Sequence, residues 1–152
     1  MLKKHLYIGS DHRGFHLKNM LVKELKARGF EVSDLGDSNP DPNDDYPVFA
    51  GKVSRAVLES NGNSFGVLLC GSGQGMAMAA NRFKGIRAVV AWDKNQARLA
   101  RNDDDSNVIA LPADVFENDV EEAARIIEIW EQTPFESIPK RARRISEMDQ
   151  MS

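Results

Sequence analysis

Residues 65–75 read FGVLLCGSGQG: a run without a single charge, closed by Cys70, then glycines at positions 71, 73 and 75. Such a run suits a central strand of a parallel sheet, whose two faces are both covered by helices. The alternating glycines leave the strand by a tight turn and open a small-residue helix that runs through Arg82. Strand, glycine turn and helix make one βα unit, and the rest of the chain repeats that order.

Toward the N-terminus, Pro47 suits a first helical position, and Phe49, Val53, Ala56 and Val57 carry a helical stripe up to Asn61-Gly62. Before it, residues 35–46 are rich in Asp, Asn, Pro and Gly and read as a surface loop. Residues 30–34 read as a short strand. Leu17, Met20, Leu21 and Leu25 mark one face of a helix that Gly29 stops, and His5 to Gly9 is the first strand. Toward the C-terminus, residues 86–92 read as a fourth strand, Lys94 to Arg101 as a helix and Asn107 to Leu111 as a fifth strand. Val120, Ala123, Ala124 and Ile127 stripe the next helix, which Thr133-Pro134 ends. A basic, partly amphipathic helix over about residues 137–150 closes the chain.

Five βα units with short connections predict one α/β domain over residues 1–152: a five-stranded parallel sheet between two helical layers, plus the C-terminal helix. Composition agrees, since 152 residues with 41% hydrophobic and 28% charged side chains suffice for a buried core. A net charge of −3 provides no global field for nucleic acid or an anionic membrane, so neither is an expected partner. One cysteine makes no internal disulfide, and no apolar run reaches the roughly 20 residues that span a bilayer. A cytoplasmic protein is expected.

In open parallel sheets, ligands sit beyond the carboxyl ends of the strands. Three polar loops are assigned to that edge: Ser10 to Gly14, Cys70 to Gly75, and Asn102 to Ser106. The second carries most chemistry. Its glycines let successive N–H groups converge on an anion, the helix dipole adds positive potential, and the same field favours a Cys70 thiolate. A dinucleotide fingerprint needs glycine at Met76, and a thiol phosphatase needs arginine there, so both fail. The parts do suit a thiolate base facing an anion hole, which abstracts a proton beside a carbonyl. The bland alternative is an inert cysteine beside a tight turn. In the first loop, Asp11 and His12 can hydrogen-bond a sugar or phosphate, although Asp11 equally suits a helix cap.

Gly9-Ser-Asp-His-Arg-Gly-Phe-His-Leu-Lys18, Asp45-Tyr-Pro47, Leu69-Cys-Gly-Ser-Gly-Gln-Gly75, Ala79-Ala-Asn-Arg-Phe-Lys-Gly-Ile-Arg-Ala88 and Ser106-Asn-Val108 follow one another over nearly the whole chain. Together they resemble the ribose-5-phosphate isomerase type B family, which includes the galactose-6-phosphate isomerase subunits. The resemblance implies a Rossmann-like fold and an aldose–ketose isomerase that uses no metal, nucleotide or other cofactor. It also implies a homodimer or dimer of dimers, with sites shared between subunits. Cys70 is then the base that moves a proton between C1 and C2, Ser72 hydrogen-bonds in the site, and Gly71, Gly73, Gln74 and Gly75 hold the enediolate. Asp11, His12 and Tyr46 fall on substrate-contacting positions. A second subtype takes its base from a glutamate just after the glycine loop; Met76 stands there, so this chain resembles the cysteine subtype.

The chain departs from the family pattern in places. Asp103 stands at the ring-opening histidine and Asp104 at the adjoining asparagine, where it remains a substrate-contacting candidate. A later arginine falls on Asp114, which removes a positive group from the phosphate end. Lys140 and Arg144 match two phosphate-binding arginines, with Arg141 and Arg143 beside them. A carboxyl of ordinary pKa, about 4, is a poor proton donor at neutral pH. Either the natural substrate needs no ring opening, as with a tetrose phosphate, or His12 or an Asp103 of raised pKa opens the ring. Three consecutive aspartates seldom converge on one metal ion, so Asp103 to Asp105 read as a polar loop. The rival function is a non-catalytic homologue that binds a phosphosugar and regulates, which has no use for a positioned thiolate. A receiver-like signalling domain needs a carboxylate where Cys70 stands.

Overall fold

The structure is a computed structural model that describes residues 2–151. Its five strands are β1 (His5–Ser10), β2 (Val32–Asp34), β3 (Ser64–Cys70), β4 (Ala88–Val90) and β5 (Val108–Pro112). They pair in parallel throughout, in the order β2-β1-β3-β5-β4. The uncharged run around Leu68 becomes the central strand, and all seven residues of β3 are buried. Its register sets Ser10 of β1 beside Leu69, and Cys70 beside Pro112 of β5. The chain leaves β1 toward one side of the sheet and β3 toward the other, so the adjoining carboxyl ends form a topological switch point.

The described residues form seven α-helices, of which the first six pack on the sheet: α1 (Phe15–Ala27), α2 (Tyr46–Glu59), α3 (Gln74–Ala80), α4 (Lys94–Asp104), α5 (Ala113–Phe116), α6 (Val120–Gln132) and α7 (Pro139–Asp149). Side chains of a strand alternate between faces, and β3 divides its residues accordingly. Val67 and Leu69 join the core built by α1, α4, α5 and α6, with Leu21, Ile126 and Trp130 at its centre. Leu68 and Cys70 face the other way, against Phe49 and Val53 of α2 and Met76 and Ala80 of α3. The predicted three-layer α/β/α arrangement is the observed one. Among the described residues, no helix is long and apolar enough to cross a membrane.

The boundaries differ from the sequence reading at the sheet margins. β2 and β4 have three residues each, shorter than predicted, because each is an edge strand with a ladder on one side only. Two asparagines complete the missing pairing at the start of β4. Asn81 exchanges hydrogen bonds with the Ala88 backbone at 2.7 and 2.9 Å, and Asn107 accepts from the Arg87 amide and donates to Gly85 O.

The placement of residues 102–106 requires a correction. α4 runs on to Asp104, where Asp105 closes it with a left-handed φ of 49°. This segment precedes β5, and in a parallel sheet the residues before a strand lie at the amino edge. Asp103 and Asp104 therefore stand at the edge opposite Cys70, separated from it by the length of β5. α7 stands at the same edge and contributes no buried residue. It is tied down by Arg141 to Asp103 at 2.9 Å and by Asp149 to Arg87 at 3.4 Å.

Candidate active site

Cys70 ends β3 with its side chain turned toward α2 and α3, 6% exposed. The glycine turn bends back over it, and the Gly73 amide donates to Cys70 Sγ at 3.2 Å. That approach needs a left-handed residue, and Gly73 adopts φ 78°. Gly73 has no room to grow either, since an added methyl group would stand 3.3 Å from the β5 backbone. Ser72 and Gln74 point outward and are exposed; the Ser72 hydroxyl accepts from the Gln74 amide at 3.4 Å. On one side, Gly71, Ser72 and Gln74 border an open cavity of about 540 Å³, whose far wall is formed by Val90, Trp92 and Val115. Tyr46, the first residue of α2, closes the other side. Its ring packs on Gly75 so tightly that a methyl group there would stand 2.7 Å from Cε1.

The second loop meets this one because β1 and β3 are neighbours. Asp11 caps the 3-10 turn His12–Gly14, accepting through Oδ1 from the Arg13 and Gly14 amides at 3.0 and 3.3 Å. The helix-cap role foreseen for Asp11 is thus realised, and Oδ2 makes no hydrogen bond among the described residues. Gly14 permits close packing here, since a side chain would strike the Leu69 backbone. His12 is fixed by Asp44, whose Oδ1 accepts from the His12 amide at 3.0 Å and approaches Nδ1 at 2.8 Å. That hydrogen bond, with burial opposing it and the charges of Asp11 and Asp44 assisting, raises the His12 pKa above its ordinary 6.5.

Asp11, His12 and Asp44 place potential ligand atoms within 4.8 Å of one another. Their geometry is already accounted for by the cap and the His12–Asp44 bond, which engage one oxygen of each carboxylate. The aspartates at the opposite edge serve arginines: Asp103 pairs with Arg141, and Asp105 with Arg101 at 2.7 Å and Arg87 at 3.3 Å. Met76, at the position of the alternative glutamate base, is fully buried in the core beneath α3.

Of the residues singled out from sequence, Cys70, Gly71, Ser72, Gly73, Gln74, Gly75, Asp11, His12 and Tyr46 converge at the carboxyl edge. Asp103, Asp104, Lys140 and Arg144 do not; they gather at the amino edge, with Lys140 and Arg144 exposed on α7. Two neighbours of the site escaped the sequence reading, Asp44 and Arg13. Asp44 adjoins the Asp45-Tyr46-Pro47 motif, and Arg13 lies inside the first loop, but nothing local marks the contacts they make. Asp114 also acts differently from expectation: it brings a positive group to the site, holding Arg13 Nη2 at 2.5 Å.

Comparison with known proteins bears on this arrangement. The sequence profile of the ribose/galactose isomerase family matches residues 6–148. A probable ribose-5-phosphate isomerase B of Mycoplasma pneumoniae is 41% identical over 131 residues, covering 86% of this chain and 84% of the relative. The ribose-5-phosphate isomerase B of Escherichia coli is 40% identical over 127 residues, 84% and 83% of the two chains. The crystal structure of a Thermotoga maritima ribose 5-phosphate isomerase superposes with a TM-score of 0.89 at 38% identity, covering 97% of this chain and 99% of the other. The Mycoplasma genitalium ribose-5-phosphate isomerase B, with ribulose-5-phosphate bound, reaches 0.90 at 35% identity over 99% and 97%. With the profile spanning all five strands and relatives of this identity matching over most of their length, the chain belongs to the ribose/galactose isomerase family.

Proposed function

We propose that this protein interconverts an aldose phosphate and its ketose, of the ribose 5-phosphate/ribulose 5-phosphate kind, through an enediolate with Cys70 as the base. The observation that carries this reading is the Gly73 amide aimed at Cys70 Sγ from 3.2 Å, at the head of a glycine turn that opens onto a cavity. The thiolate removes the proton from C2. The C–H electrons form a C1–C2 double bond, and the carbonyl π pair becomes the O1 charge, which the loop amides stabilise. Return of the proton to C1, with transfer of the O2 proton to O1, yields the ketose. Ser72, Asp11, His12 and Tyr46 hold hydroxyls and orient the chain of carbons. The ribulose 5-phosphate bound by the Mycoplasma genitalium relative supports this substrate class.

Lys140, Arg144, Asp103 and Asp104 reach such a site only from a second copy of the chain, so the working unit is read as a homodimer or a dimer of dimers. α7 supports this, since none of its residues is fully buried on its own chain. A base that works as a free thiolate fits a reducing compartment, the cytoplasm. Asp103 accepts from Arg141 and stands where a proton donor for ring opening is expected. That favours a second reading in which the preferred substrate is an open-chain tetrose phosphate.

A panel of ribose 5-phosphate, erythrose 4-phosphate and hexose 6-phosphates, run on the wild type and on Cys70→Ala, tests these readings. Conversion of ribose 5-phosphate by the wild type and its loss in a folded variant support the proposal. Preference for erythrose 4-phosphate selects the open-chain substrate. Binding without conversion of any sugar overturns catalysis in favour of the regulatory phosphosugar-binding homologue.

A further inference from the structure

Arg13 extends from the Asp11 loop and presents the face of its guanidinium to the glycine turn: a methyl group on Gly71 would collide with Cζ, Nη1 and Nε together. Nη2 donates to Asp114 Oδ2 at 2.5 Å, and the Asp114 amide donates to Gly71 O at 3.1 Å. Guanidinium, turn and carboxylate therefore form one unit. Both side chains remain more than half exposed, 54% for Arg13 and 58% for Asp114. Among the described residues, no other group accepts from the Arg13 side chain, so one edge of its planar fork stays open beside the residue that follows Cys70. An open guanidinium fork is the donor set that matches a phosphate, two parallel N–H bonds to two oxygens.

We propose that Arg13 binds the phosphate group of the substrate, and that Asp114 is the positioning residue that holds the guanidinium over the glycine turn. The proposal rests on the isomerase reading for the identity of the phosphorylated molecule. Its physical basis is independent of that reading. His12, next in the loop and with its pKa raised, adds positive potential on the same side. Asp114 occupies one edge of the guanidinium and leaves the other, which restricts the anion to a single approach. The carboxylate's own charge weakens capture of a bare anion, so a ligand that also engages the Cys70 loop is favoured over free phosphate.

Steady-state kinetics with ribose 5-phosphate, together with calorimetric binding of inorganic phosphate, test the assignment. Arg13→Ala is expected to raise KM about tenfold or more, the loss of a charge-assisted bond, while kcat changes little. Arg13→Lys keeps the charge without the fork and recovers part of the loss. Asp114→Ala raises KM by a smaller factor. Asp114→Asn restores it, because the amide oxygen still accepts from Nη2; a merely structural lesion would instead lower Tm and kcat in both variants. Unchanged KM and unchanged phosphate binding in Arg13→Ala, with an active wild type, overturn the phosphate site and leave the isomerase reading standing. A wild type that converts no sugar phosphate but binds inorganic phosphate through Arg13 overturns the isomerase reading and leaves the phosphate site standing. If Asp114→Ala lowers KM, Asp114 acts as a repelling charge and its positioning role is overturned.

Discussion

Cys70 owes its orientation to strand parity: a shift of one residue in β3 would turn the sulfur into the opposite core and present Leu69 to the glycine turn. Cys70→Ser preserves size and tests the base directly. A hydroxyl is a far weaker base, so kcat is expected to fall by about 10²-fold or more, with Tm nearly unchanged. His12 supplies a pH test. Its hydrogen bond to Asp44 raises its pKa above 6.5 in the folded chain. The stabilisation from the protonated ring is therefore fully present below the unfolded value and is lost as pH rises through the folded one. NMR titration is expected to place the ring above 6.5 in the wild type and nearer 6.5 in Asp44→Asn. KM for an anionic substrate rises over that same interval. Asp11, His12 and Cys70 were legible because their own loops announce them. Asp44 and Arg13 were not, because their contacts join residues 32 and 101 positions apart, a matter of tertiary packing.

The elements that hold the two edges together are latched by a few polar contacts. Buried Trp130 of α6 donates through Nε1 to Ser106 Oγ at 2.8 Å, pinning α6 to the chain just before β5. Ser106→Ala leaves that N–H unsatisfied inside the core, a cost of about 1–3 kcal/mol that a denaturant melt would register. Glu128 of α6 accepts from Lys3 at 3.1 Å and from Arg28 at 3.0 Å, joining the start of the chain and the end of α1. Burial alone would raise its pKa, but the two cationic partners outweigh it and hold it below the ordinary value. Its contribution is present above the unfolded pKa and is lost as pH falls through the depressed one. Glu128→Gln is expected to flatten the acid limb of the stability profile while costing under about 1 kcal/mol at neutral pH. Helix stripes and the β3 run were plain in the sequence. The short β2 and β4 were not, because each is an edge strand with a ladder on one side only, and at the start of β4 asparagine side chains stand in for ladder partners, a role without periodicity.

For the whole molecule, the βα alternation carries the parallel sheet between two helical layers, while the strand order and the edge on which residues 102–106 lie come from the structure. Residues 102–106 are as polar as the two site loops, and only the rule that a helix returns the chain to the amino edge separates them. The candidate residues therefore fall into two groups, Cys70 with its neighbours at one edge and Asp103, Asp104, Lys140 and Arg144 at the other. The proposed dimer, with sites shared between copies, is tested by a mixing experiment. Cys70→Ala and a Lys140→Ala/Arg144→Ala double variant, unfolded and refolded together, are expected to recover about a quarter of wild-type activity at low substrate, the share of intact sites in randomly paired dimers. Each variant alone stays well below that level. The most direct test of the account follows hydrogen at carbon during reaction in deuterated water with ribose 5-phosphate. Incorporation of solvent deuterium at C2 of the recovered aldose or C1 of the ketose, abolished in folded Cys70→Ala, is the expected result; incorporation by that variant at the wild-type rate would contradict a thiolate base at position 70.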